Sequence, residues 1–187
     1  PAMVHASLTT SAPTGTTTVL STVSGTYATA PSVVAGGFNV FAPSGESVWY
    51  GDSSFGLSSN GSWNNFAWVG GYCGSDSCTA TIDLGGSFSS VGGFMNYATP
   101  GYGSAVISAI AADGVTVLES YALDIQAPIA TSGTNDGAFR GIARSGSDIA
   151  FFRLSGSYLI AHDITIAAVP EPETYAMLLA GLGVMGA

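Results

Sequence analysis

Hydrophobic and polar residues alternate with a period of two along several stretches of this chain. Ala80, Ile82 and Leu84 interleave with Thr79, Thr81 and Asp83. Ala150, Phe152 and Leu154 alternate with Phe151 and Arg153, and Ile164 and Ile166 with Asp163 and Thr165. A period of two sorts residues onto opposite faces of an extended strand, so each run predicts a half-buried antiparallel strand. Asp113-Gly114 lies between the apolar runs 105–112 and 115–123, where that dipeptide signals a two-residue hairpin, and Asn60-Gly61 is a second candidate turn. About ten strands are expected between Thr16 and Ala168, with no helix among them. The fold class is all-β, a two-sheet antiparallel β-sandwich of the jelly-roll kind. No internal repeat of roughly 20–50 residues is present, which argues against a solenoid or propeller.

The two ends read differently from this body. Residues 1–15 are expected to be a signal-peptide remnant or a flexible leader. Val4 and Ala6 match the small-residue pattern before a signal-peptidase cut, which would release a chain starting at Ser7. Residues 16–168 form the sandwich domain, whose first Ser/Thr-rich stretch is either an edge strand or part of the leader. Residues 169–187 form a tail. Pro170 and Pro172 stop the preceding strand and hold Glu171 extended, Thr174 caps a short apolar helix, and nothing after it is charged. That helix is about 20 Å long at 1.5 Å per residue, short of the ~30 Å hydrocarbon core.

Composition sharpens the class. Of 187 residues, 47% are hydrophobic and 8% charged, where roughly 25% charged is ordinary for a soluble domain. The chain has three arginines, no lysine and a formal net charge of −9, which excludes a nucleic-acid partner and electrostatic docking on anionic lipid. Its polar content is mostly neutral, with 26 glycines, which suits short strands, tight turns and an extracellular setting. Cys73 and Cys78 are close enough in sequence to close a small disulfide ring in an oxidising compartment.

Candidate chemistry is sparse. The sequence has no Gly-x-Ser-x-Gly, His-Glu-x-x-His, phosphate-binding glycine loop or EF-hand spacing, and no catalytic residue is assigned. His162 is the one histidine a triad in the body would have to use, and Glu46 and Glu119 are the one glutamate pair a glycosidase would need. An aromatic cluster offers more. Trp49, Trp63, Trp68 and Tyr72 can stack on sugar rings while Asn64 bonds hydroxyls, although core filling uses the same residue types. Asp76, Asp136 and Asp148 lie in Gly/Ser-rich stretches and are weak candidates for calcium, which takes about six to eight oxygen ligands. No other cofactor is expected.

Val169-Pro170-Glu171-Pro172 followed by the apolar stretch 175–187 resembles the PEP-CTERM sorting signal of Gram-negative bacteria. The resemblance implies an exported protein, transiently anchored in the inner membrane through its tail, with Pro170, Glu171 and Pro172 recognised by exosortase. Tails of that family continue into an arginine cluster, which is absent here. Residues 81–86, 91–97, 139–142, 149–156 and 162–166 resemble exported PEP-CTERM sandwich proteins and galactose-binding-like jelly rolls. The function expected is a non-catalytic structural or adhesive protein of the extracellular matrix or biofilm at the cell surface, self-assembling through edge strands. The alternative is a carbohydrate-binding module for an extracellular polysaccharide.

Overall fold

The computed structural model describes residues 5–21, 27–54, 56–74, 77–98 and 101–168. The first third of the chain gives β1 (Ala6–Thr9), β2 (Thr16–Thr18), β3 (Ala28–Ala30), β4 (Ser32–Ala35), β5 (Phe38–Phe41) and β6 (Ser47–Gly51). Then come β7 (Ser62–Trp63), β8 (Trp68–Tyr72), β9 (Thr79–Phe88), β10 (Ser90–Asn96) and β11 (Val106–Ile110). β12 (Val117–Ala122) runs into a single helical turn, α1 (Leu123–Gln126), followed by β13 (Thr134–Asn135), β14 (Ala138–Arg144), β15 (Ile149–Ser155) and β16 (Ile160–Ala167).

The first sheet has the order β1-β14-β10-β16-β8-β6-β3, with β2 paired to the last half of β16. The second has the order β12-β11-β15-β9-β5-β4. Every pairing within these two sheets is antiparallel, and β7 with β13 makes a short parallel pair beside them. The protein is an all-β sandwich. Its main core lies between the sheets, with Val48, Val69, Met95, Ile142 and Ile164 from one and Val40, Ile82, Ile107, Phe152 and Leu154 from the other, all buried.

The period-two runs are strands as expected, and their register confirms which residues face inward. Ile82 and Leu154 are buried, whereas their neighbours Asp83 and Arg153 are half-buried on the other face. More strands form than sequence patterning predicts, because several two- to four-residue segments become strands only through partners distant in the chain. One such segment moves the domain boundary. Ala6–Thr9, expected in the leader, pairs with Gly141–Arg144, and Leu8 packs on the core. Among the described residues α1 is the one helical turn, and none is long and apolar enough to cross a membrane. The apolar tail helix expected after residue 174 lies outside the described residues.

Asp113-Gly114 does turn the chain, but through a longer loop than the expected two-residue hairpin. Ala111 N–H donates to Thr116 O, Gly114 (φ +72°) supplies the left-handed step, and the ladder slips between Ala109 and Ile110. The Asp113 carboxylate caps the loop by accepting from the Thr116 hydroxyl and from the Thr116 and Val115 backbone N–H groups. These bonds, the Thr116 hydroxyl first, hold its pKa below the ordinary carboxylate value. A depressed folded pKa means the capping contribution is present above the unfolded value and is lost as pH falls through the folded one. We expect Thr116→Val to raise the Asp113 pKa toward the ordinary carboxylate value, as read by NMR titration of its side-chain carboxyl; an unmoved titration would remove the hydroxyl as the main cause.

Candidate functional site

The same alternation that fills the main core also builds a second, aromatic one. Along three adjacent strands of the first sheet, Val48, Val69 and Ala161 face the main core. Their neighbours Trp49, Trp68 and Ile160 must therefore point to the outer face. There they meet Leu57 and Trp63 from the segment between β6 and β8, which folds across the sheet. Trp63 and Trp68 are fully buried in this cluster. The Trp68 indole N–H donates to Ser53 O, and Trp63 packs edge-on against the buried His162 ring.

This placement divides the residues that sequence reading grouped as sugar contacts. Trp63 and Trp68 have no face open to a ligand, because Trp68 on the sheet and Trp63 in the segment that crosses it are both fully buried in one cluster. Asn64 donates to the Asp136 carboxylate at 2.8 Å. Trp49 is half-buried, and Tyr72 is 43% exposed. These last two stand beside each other, with ring centroids 5.9 Å apart.

Trp49 also lines a small cavity of about 220 Å³, together with Gly56, Ser58, Ala98, Tyr102 and Tyr158. Its aromatic walls meet edge to face, with Trp49–Tyr158 centroids at 5.9 Å and Tyr102–Tyr158 at 5.2 Å. Sequence reading missed Tyr102 and Tyr158, which sit in Gly-Tyr-Gly and Gly-Ser-Tyr loops that only the fold brings together. Two larger depressions of about 350 Å³ each, one beside Gly36–Asn39 and one beside Gly103–Ser104, lack paired aromatic walls.

The backbone around the aromatic cavity is held in an unfavourable conformation. Among the described residues four non-glycine residues have left-handed φ, and two of them, Ser58 (52°) and Tyr158 (52°), line the cavity, with Ser157 (49°) adjoining. Left-handed φ costs a bulky residue of order 1–3 kcal/mol and persists where the surroundings over-determine it. The surroundings here do so. Ser157 donates its hydroxyl to Ala98 O and accepts at its own carbonyl from Ala98 N–H at 2.8 Å. The loop bearing Gly56 and Ser58 is closed by Leu57 N–H to Gly61 O at 2.7 Å, with Gly61 at φ +81°, so Asn60-Gly61 is a turn as expected.

Behind that turn lies a buried amide network. Asn60 O accepts from Thr131 Oγ1, Asn135 Nδ2 and Asn96 Nδ2, while Asn60 Nδ2 donates to Tyr97 O. Asn96, fully buried, also donates to Thr131 Oγ1 and Asn135 Oδ1. The network therefore stitches the cavity loop to β10 and to the 127–137 segment. Arg140 anchors the same segment by donating to Ala127 O, Phe139 O and Pro128 O, and burial holds its pKa below the ordinary value.

The remaining candidates are dispersed. Glu46 accepts from Thr79 N–H at 2.6 Å, whereas Glu119 pairs with Arg144, so the two glutamates serve different partners. His162 stacks on Phe66 and Phe94, with its Nε2 3.3 Å from Asp136 O. Its Nδ1 lies 3.2 Å from the Asp163 carboxylate without hydrogen-bond alignment. Asp148 is bound bidentately by Arg144 and follows β14, while Asp136 precedes it, about 20 Å away at ~3.3 Å per residue. A single calcium cannot use both. No cluster of three acidic, histidine or cysteine side chains suited to a metal exists among the described residues. Asp76, Pro170, Glu171 and Pro172 lie outside them. Cys73 and Cys78 form a disulfide between β8 and β9.

Residues 168–187 match the PEP-CTERM protein-sorting motif. No curated protein and no solved structure matches the chain. The motif marks an exported protein that exosortase sorts to the cell envelope. β16 ends at Ala167, whose carbonyl accepts from both the N–H and hydroxyl of Ser89, so the motif begins where the sandwich stops.

Proposed function

We propose that this protein is a non-catalytic adhesive component of the extracellular matrix of a Gram-negative bacterium, holding polysaccharide in the Trp49–Tyr102–Tyr158 cavity. The observation that carries this reading is a set of aromatic walls flanked by three left-handed non-glycine residues. Tyrosine and tryptophan faces match the C–H face of a sugar ring, and the Ser58, Tyr102 and Tyr158 hydroxyls supply the few polar groups that orient a ligand. At about 220 Å³ the cavity is below the usual range of about 300–1,000 Å³ for drug-sized ligands, which suits a single ring of a longer chain.

The jelly-roll reading is supported by the chain's route. From β8 onward it changes sheet at each connection between strands of the two sheets except the β11–β12 hairpin. Self-association through an edge strand has support at β4, which is uncharged and carries Val34 at 67% exposure. The opposite edge is blunted. On β12, Leu118 O accepts from Arg144 and Ala122 N–H donates to the Gln126 side chain.

Tyr102→Ala is the cleanest test, since Tyr102 is half-buried and its ring contact is with Tyr158. Retention of the protein on immobilised extracellular polysaccharides is expected to fall at least roughly tenfold while the thermal transition stays put. Undiminished retention would remove the cavity as the binding site.

A further inference from the structure

The binding site proposed above has an electrostatic character that selects among polysaccharides. A uronate, sulfate or phosphate group on a sugar is recognised by a guanidinium or ammonium, which supplies charge-assisted hydrogen bonds. This chain has three such side chains in its whole length, and the fold places each away from the cavity. Arg140 is 9% exposed and donates to the three carbonyls of Ala127, Pro128 and Phe139. Arg144 is held between Glu119 and Asp148. Arg153 belongs to the second sheet, where it reaches Thr81 Oγ1 and Gly114 O. Among the described residues the cavity lining carries no charge of either sign, and the net charge of −9 repels any polyanion approaching it.

The aromatic walls also continue beyond the cavity. Ring centroids step from Tyr102 to Tyr158 at 5.2 Å, on to Trp49 at 5.9 Å, and from Trp49 to the exposed Tyr72 at 5.9 Å. Tyr72 thus extends the run of contacting rings beyond those that line the cavity. Each step is on the scale of one sugar residue.

The geometry points to a neutral polysaccharide as ligand, gripped along its length by the Tyr102–Tyr158–Trp49–Tyr72 strip with one ring seated in the cavity. This rests on the carbohydrate-binding reading of the same site. Affinity then grows as a neutral oligosaccharide lengthens to cover the strip, and added salt leaves it unchanged. Uronate- and sulfate-bearing polymers are rejected.

The test is calorimetric titration of the full chain with unsubstituted β-glucan, mannan and galactan and oligomers of increasing length from each, alongside alginate and heparin. The expected result is binding of at least one neutral polymer, unaltered between low and high salt. Tyr72→Ala should weaken binding of its long oligomers roughly three- to tenfold and leave its shortest bound oligomer unaffected. Tighter binding of alginate or heparin through the Tyr102-dependent site would overturn the neutral-ligand inference and leave the carbohydrate-binding reading standing. A shortest oligomer bound as tightly as the longest, with Tyr72→Ala silent on both, would overturn the strip. Binding of none of the polymers would remove both readings together.

Discussion

Replacing Trp68 with alanine should lower the free energy of unfolding by about 3–5 kcal/mol, the range for truncating a buried aromatic side chain. Trp68 is fully buried, its ring lies 5.1 Å edge-on from Trp49 and 6.1 Å from Tyr27, and its N–H is bonded to Ser53 O. Alanine leaves a cavity between the first sheet and the segment that covers it, and strands the bond that pins that segment down. Chemical denaturation of Trp68→Ala beside Tyr72→Ala gives the comparison. Tyr72 is exposed, so its truncation is expected to stay within about 1 kcal/mol. Equal losses for the two variants would contradict the division of this cluster into core and surface. Any fall in sugar binding by Trp68→Ala should track the unfolded fraction, whereas Tyr102→Ala should lose binding while folded.

The second large effect is expected at Asn96. Asn96→Asp keeps the shape of the side chain but replaces a donor with an acceptor. The Asn96 amide nitrogen faces Asn60 O at 3.3 Å, Thr131 Oγ1 at 3.0 Å and Asn135 Oδ1 at 2.9 Å. A carboxylate there meets two fixed acceptors at a fully buried position. Asn135 cannot turn over cheaply to help, because its Oδ1 also accepts from Gly137 N–H while its Nδ2 donates to Asn60 O. The loss is expected to be about 2–4 kcal/mol at neutral pH. Protonation restores a donor, so the folded state raises the pKa of the new carboxyl. The variant is then weakest above that raised value and recovers as pH falls through it. Denaturation midpoints of Asn96→Asp and the parent across pH give the readout, and a deficit independent of pH would show that repulsion at this position is not its cause.

Much of the sandwich is legible in the chain because strand faces are set by local alternation. Ile82, Phe152 and Ile164 face inward in a period-two run wherever the partner strand comes from. The short strands were less legible. Ala6–Thr9 has little pattern of its own and becomes a strand through Gly141–Arg144, more than 130 residues away. The turn at Asp113 is legible in sequence but its loop length is not, since the slip between Ala109 and Ile110 arises in the β11–β12 ladder.

The site was legible only as an aromatic composition. Trp49, Trp63, Trp68 and Tyr72 look alike in sequence, yet Trp63 and Trp68 are fully buried while Trp49 is half-buried and Tyr72 exposed. Nothing local distinguishes them, because outer-face strand residues are exposed or buried according to what folds over them. Tyr102 and Tyr158 are far apart in the chain, and their approach depends on how the end of β10 lies beside the start of β16.

The sequence by itself determined the address, an export and sorting motif in residues 168–187, since such a signal is read as a linear segment. It also determined the all-β class and the scarcity of cations, three arginines and no lysine, because alternation and charge count are properties of the chain alone. Tertiary structure alone decided which aromatic rings reach solvent, where the three arginines spend their charge, and that a strained turn at Ser157-Tyr158 meets the loop at Ser58. Each of those depends on contacts between segments far apart in the chain, which form only when the two sheets close on a shared core.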